Sequence, residues 1–228
     1  FGFNNVPINR IFVSRGGNYS GKTGFFLKMG FKSVIKFIAI SNHQIKILIS
    51  KGVKKESIKL IHNGVETNNF KPKPRINVIE NIGIVGFIHP LKNQLLAIKA
   101  IKILKERGYK INLNIYGLAF SSIDKEYKKI IDIYIKENDL SNDIIFKGYV
   151  SNKDEIFNHN DILLSCSLAE GFGRTVVEGM AYSLPCIGLA ESGGLLDIIT
   201  NNYDGILINN SEQELVDVIL KFYNDNTF

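Results

Sequence analysis

EGFGRTVVEGMA, from Glu170 to Ala181, follows the apolar run DILLSCS, Asp161 to Ser167, after two intervening residues. The apolar run reads as a buried strand. Gly171 and Gly173 allow a tight turn with bare backbone, and TVVEGMAY behind them reads as the opening of a helix. Strand, glycine turn and helix start make an anion site, because unpaired backbone N–H groups and the helix dipole point the same way. Phe172, Arg174 and Thr175 complete the turn, and carboxylates stand at its two ends, Glu170 and Glu178, eight residues apart. An anion cradle between two carboxylates suits a ligand that is part phosphate and part polyhydroxyl, and a sugar nucleotide is of that kind. Thr175-Val-Val-Glu178 equally fits a capping box, in which Glu178 reaches back to a helix-start N–H. Glu170 is harder to dismiss. It follows a strand's carboxyl end, where open α/β sheets place their ligands.

The pattern on both sides of this stretch alternates. Strands are predicted at Gly83–Ile88, Ile111–Tyr116, Ile144–Lys147, Asp161–Ser165, Pro185–Leu189 and Gly205–Ile208. Helices are predicted at Asn93–Arg107, Ile123–Glu137 and Lys153–Asn158, in the signature stretch, briefly after Gly194, and from Ser211. In the first, Leu95, Ile98, Ile101 and Leu104 share a face. Strands alternating with helices imply an α/β fold, a Rossmann-like parallel sheet covered by helices on both faces. Upstream, Ile8–Ser14, Lys36–Ser41 and Ile58–His62 read as strands, with a helix after Ser41 that stops at Gly52. KPKPR, Lys71 to Arg75, reads as a linker.

No G-x-G-x-x-G follows the Gly83 strand. There Gly86-Phe87-Ile88-His89-Pro90-Leu91-Lys92 offers a glycine for close approach of a phosphate and a lysine to pair with it. Gly16-Gly-Asn-Tyr-Ser-Gly21-Lys22-Thr23 matches the P-loop pattern, with Lys22 for terminal phosphates and Thr23 for magnesium. Its context is poor. The next segment carries Gly24 and Gly30, and neither KFIAIS nor DILLSC ends in the acid that such a site requires.

E-G-F-G followed by E-G-M-A resembles the signature of the family-4 glycosyltransferases, retaining enzymes of GT-B fold with a Glu-x7-Glu motif. IAIS and then LIHNGVETNNFKP, between Phe37 and Pro72, resemble the strand, helix and "NGvd…F.P" hinge that end the family's first domain. Gly86 to Lys92 is similar to its G-R-L-x-x-x-K-G stretch, but with Phe87 in the place of Arg. FKGYV, Phe146 to Val150, resembles the turn whose backbone meets the nucleotide base. Ser192-Gly193-Gly194 to Asp197 resembles "vGGlpEii", with Asp for Glu.

The resemblance implies a nucleotide-sugar-binding domain over 72–228, with 1–71 the tail and hinge of an acceptor domain. A chain opening at Phe1 then reads as a fragment. It also implies roles: Lys92, Gly86 and the turn N–H groups of Gly171 to Thr175 on the diphosphate, Val150 at the base, Glu178 on ribose hydroxyls and Glu170, the catalytic candidate, on the donor sugar. Arg174 is the expected substitute for the charge lost at Phe87. No cofactor and no metal are implied beyond the nucleotide-diphosphate sugar itself, and the acceptor is a glycan or lipid-linked glycan. Capsule or lipopolysaccharide assembly, in the cytoplasm with peripheral contact at the inner membrane face, is the expected setting. The rivals are a P-loop NTPase built on Gly16–Thr23 and a non-catalytic sugar-nucleotide-binding module.

Composition narrows the field further. The chain has 228 residues, 45% hydrophobic and 22% charged, which suits one domain and part of another at roughly 100–200 residues each. The net charge of +6 is dispersed, and no basic stripe interleaved with aromatics points to nucleic acid. Cys166 and Cys186 sit in apolar runs and read as small buried hydrophobes of a reducing compartment. The four histidines have no metal-ligand spacing.

Overall fold

The computed structural model describes residues 11–14, 36–67, 70–71 and 79–224. Two parallel sheets lie on either side of Lys71. The first pairs β1 (Ile11–Ser14), β2 (Lys36–Ala39) and β3 (Ile58–Leu60) in the order β1-β2-β3. Between β2 and β3 runs α1 (Asn42–Ser50), whose N-cap Ser41 accepts a hydrogen bond from the Gln44 N–H. The motif Gly16–Thr23 lies outside the described residues, as do residues 8–10 of the predicted first strand and 72–75 of the predicted linker.

The second sheet carries the signature stretch. It contains β4 (Asn81–Val85), β5 (Asn112–Tyr116), β6 (Ile144–Gly148), β7 (Ile162–Ser165), β8 (Cys186–Leu189) and β9 (Ile206–Ile208). Interleaved are α2 (Gln94–Glu106), α3 (Ser122–Glu137), α4 (Lys153–Asn158), α5 (Arg174–Ala181) and α6 (Glu212–Asn224). Every pairing is parallel and the order is β6-β5-β4-β7-β8-β9. The order reverses between β4 and β7. That is the topological switch point at which doubly wound sheets open a crevice beyond their carboxyl ends.

The two faces are covered differently. Ile98, Ile101 and Leu104 of α2, Ile131 and Ile135 of α3, and Val216 and Ile219 of α6 fill one core. Ile156 and Phe157 of α4, Val176 of α5, Tyr182 and Leu195 fill the other. Each such side chain contributes about 1.5–3 kcal/mol on burial. β7 and β8 are buried along their whole length, which is why their runs read as continuously apolar. Both cysteines are free and buried, and burial pushes the Cys166 thiol up to about 12.

Several predicted elements end differently: β2 stops at Ala39 rather than Ser41, and β3 at Leu60 rather than His62. β4 stops at Val85, not Ile88, because Gly86 turns out of the strand at φ +149° and a 3₁₀ turn, Pro90–Lys92, precedes α2. The helix after Gly194 is a single 3₁₀ turn, Gly194–Asp197.

Candidate active site

At the carboxyl ends of β4, β5 and β6 stand three glycines with positive φ: Gly86 (+149°), Gly117 (+150°) and Gly148 (+66°). They let the strand ends close on one another. The Gly86 N–H donates to the Tyr116 carbonyl at 2.9 Å and the Gly117 N–H to the Gly148 carbonyl at 2.7 Å. A Cβ on Gly117 would lie 1.9 Å from the Gly86 carbonyl oxygen. Beyond Gly86, the Gln94 side chain donates to the Phe87 carbonyl at 2.7 Å, and His89 Nδ1 accepts from the Leu91 N–H at 3.0 Å. These bonds fix the short path that delivers Lys92. Phe87 itself faces solvent, edge-on to Phe120 with ring centroids 5.4 Å apart. Nearby, backbone and side-chain donation from Ser121 holds the Asp124 carboxyl below the ordinary range, with burial opposing it.

Glu170 is fixed from the other side of the switch point. Its N–H donates to the Ser192 carbonyl and its carbonyl accepts from the Gly194 N–H, each at 2.9 Å. Its carboxylate receives the Lys92 ammonium at 2.7 Å. Two sequence-predicted residues 78 positions apart thus meet directly across β4 and β7. Gly171 offers its carbonyl to Ser41 Oγ at 2.7 Å, and Phe172 is buried with its ring 5.4 Å from that of His62. Gly173 takes the left-handed N-cap conformation (φ +100°), where a Cβ would stand 2.3 Å from the Leu195 side chain. α5 then begins at Arg174, with Thr175 half-buried in its first turn.

α5 begins at Arg174 with Gly173 as its N-cap, so Thr175 is not the cap and the capping-box reading of Glu178 is overturned. Glu178 lies inside α5, 8% exposed, with Lys153 Nζ at 2.9 Å and Arg174 Nε at 3.3 Å from its Oε1. Arg174 therefore answers Glu178 one turn along its own helix, while most of its side chain faces solvent. Val150 is half-buried against the core of Phe157 and Tyr182, just past the carboxyl end of β6.

Asn42, His43 and His62 dock on this site. Asp197 Oδ2 accepts from the Asn42 N–H at 2.7 Å and from its side-chain amide at 3.1 Å, and His62 Nε2 stands 3.1 Å away. His43 fills the space beside Gly193, where a Cβ would come within 2.6 Å of its ring. Ser41 is legible as a helix cap, but its bond to Gly171, like the partners of Lys153, Asn42 and His62, is acquired only through folding. Hydrogen bonds to a charged group contribute about 1.5–3 kcal/mol. Asp197→Ala is accordingly expected to lower stability by about 2 kcal/mol in urea unfolding. A loss under about 0.5 kcal/mol, the level of an ordinary surface change, would mean that this contact is not held in solution.

Comparison with known proteins bears on the same residues. The model of the family "Glycosyl transferases group 1" matches residues 66–228. The poly(glycerol-phosphate) alpha-glucosyltransferase of Bacillus subtilis is 27% identical over 166 residues, 67% of this chain and 24% of its own length. The capsular polysaccharide biosynthesis glycosyltransferase CapM of Staphylococcus aureus is 25% identical over 179 residues, 78% of this chain and 45% of its own. Among solved structures, HepE of Anabaena in complex with UDP and glucose superposes with a TM-score of 0.81 at 21% identity, covering 94% of this chain and 62% of that one. The chain spans about half or less of the length of the curated relatives it matches.

Proposed function

Because this chain belongs to the group 1 glycosyl transferases, we propose that it is the donor-binding part of a retaining transferase that moves a sugar from a nucleoside diphosphate to a glycan or lipid-linked acceptor. The fold is of GT-B type. Residues 72–228 form the donor domain in this reading, and 1–71 belong to the acceptor domain. The observation that carries the reading is the Lys92–Glu170 pair at the switch point, beside the bare turn of Gly171 to Thr175.

The chemistry asks for two opposite charges to be met. Departure of a nucleoside diphosphate builds negative charge, and the anomeric carbon turns positive. Lys92, the N-terminal N–H groups of α5 and the backbone beside Gly86 take the first, so the reaction proceeds without a bound metal or other cofactor. Glu170 faces the second and orients the donor sugar. Glu178 accepts from the ribose hydroxyls, with Val150 at the base. A glycosidase pair of carboxylates is disfavoured by the anion-binding turn set between them. The matched relatives named for poly(glycerol-phosphate) and capsular polysaccharide support a role in cell-surface polysaccharide assembly. Among the described residues no helix is long and apolar enough to cross a membrane, and contact with the inner face is proposed as peripheral.

Calorimetric titration with UDP, GDP and ADP sugars, and with ATP plus magnesium, tests the reading. One nucleotide sugar is expected to bind without added metal, and Glu178→Ala to weaken it about 10–100-fold, as loss of charged hydrogen bonds worth about 1.5–3 kcal/mol requires. Unchanged affinity in Glu178→Ala would remove Glu178 from the donor site. Binding of ATP–magnesium alone would return attention to Lys22 and Thr23. Donor binding without transfer in the complete protein would make it a sugar-nucleotide-binding module.

A further inference from the structure

Lys153 opens α4, a six-residue helix on the opposite face of the sheet from α2. Its ammonium stands 2.9 Å from Glu178 Oε1 and 5.3 Å from the centroid of the Phe70 ring. Phe70 in turn lies against Tyr182, ring centroids 4.6 Å apart, and the Tyr182 hydroxyl donates to Asp154, the next residue along α4. Burial and the Asp154 carboxylate push that phenol up to about 12, so it remains a donor at every physiological pH. Beside this cluster opens a cavity of about 330 Å³ lined by Glu66, Phe70, Asn152, Lys153, Asp154 and Tyr182.

Lysine and arginine approach the same oxygen of Glu178. Arg174 is mostly exposed and one turn away on α5, so solvent screens its pull on the carboxylate. Lys153 comes from a different element, is about one-third exposed, and faces a carboxylate that is nearly buried. A nearly buried carboxylate held by a cation from another element has its direction set by that cation. With Oε1 engaged, Oε2 is the oxygen left to accept from a diol.

We propose that Lys153 is a positioning residue that sets Glu178 for a vicinal diol and thereby makes the site select ribonucleoside over 2′-deoxyribonucleoside diphosphates. This rests on the donor-site reading of Glu178. The cation–aromatic contact with Phe70 gives the lysine a second hold, so the setting of Glu178 depends on Phe70 staying docked against Tyr182.

Titration of this chain with UDP, GDP and ADP and their 2′-deoxy forms tests it, using wild type, Lys153→Met, Lys153→Arg and Glu178→Ala. Lys153→Met is expected to weaken the bound ribonucleotide about 10-fold and leave the 2′-deoxy form unchanged, so that the two converge. Lys153→Arg restores most of the preference, and adding Lys153→Met to Glu178→Ala costs nothing more. A Lys153→Met protein that keeps the preference, or that loses both ligands equally while melting as wild type, overturns the proposal and leaves the donor-site reading standing. A wild-type chain that binds none of these diphosphates overturns both.

Discussion

Glu170→Gln in the complete enzyme is expected to lower kcat by about 10²–10³ while donor affinity holds or rises. The split follows from the 2.7 Å pair with Lys92. Without donor, the lysine is neutralised by Glu170, so an incoming diphosphate must compete with a carboxylate for the same ammonium. An amide at position 170 releases Lys92 to the phosphate and removes a like-charge neighbour from it. Ground-state binding therefore gains, or at least does not lose. In the donor-site reading the transition state loses the carboxylate that faces positive charge at the anomeric carbon, and only interactions stronger there than in the ground state accelerate the reaction. Steady-state kinetics with a saturating acceptor, together with donor titration, separate the two effects. A rise in KM with kcat unchanged would make Glu170 a plain binding group, and unchanged values of both would remove it from the site.

The sheet was largely legible because its strands are short apolar runs, several of them meeting a glycine at one end, and β7 and β8 have no polar face to confuse the period. Glu170 and Lys92 were legible because each sits at a strand's exit, where the switch point gathers residues from distant parts of the chain. Glu178 was ambiguous for a physical reason. A Thr-x-x-Glu at a helix start satisfies the capping geometry in sequence, and only the left-handed Gly173, one residue before the helix, shows that the helix begins too early for it. Lys153 is legible only as the first residue of a short helix, because its partner Glu178 lies on another element. Asp197 could be read only by likeness, and its partners Asn42 and His62 lie 155 and 135 positions away. Gly117 went unread because nothing in YGLAF tells that the Gly86 carbonyl will press against it.

Gly117→Ala is expected to be the most destabilising single methyl that this site can receive, costing more than about 4 kcal/mol and abolishing donor binding with it. Two costs add at this position. The backbone sits at φ +150°, where a side chain brings strain of order 1–3 kcal/mol. The new Cβ would also stand 1.9 Å from the Gly86 carbonyl oxygen, and that neighbour is backbone, which cannot rotate aside. Relief requires β4 and β5 to part at their carboxyl ends, where Val85 pairs with Tyr116 and Gly86 donates to the Tyr116 carbonyl. Parting them displaces the path from Gly86 to Lys92, so affinity falls together with stability. Gly108→Ala supplies the control. It too has positive φ (+87°), but its Cβ would meet nothing within 4 Å, so conformational strain alone should cost about 1–2 kcal/mol. The difference between the two variants in urea unfolding isolates the clash from the strain. Equal losses would mean that the ends of β4 and β5 separate freely, and that Lys92 is not held by the strand that precedes it.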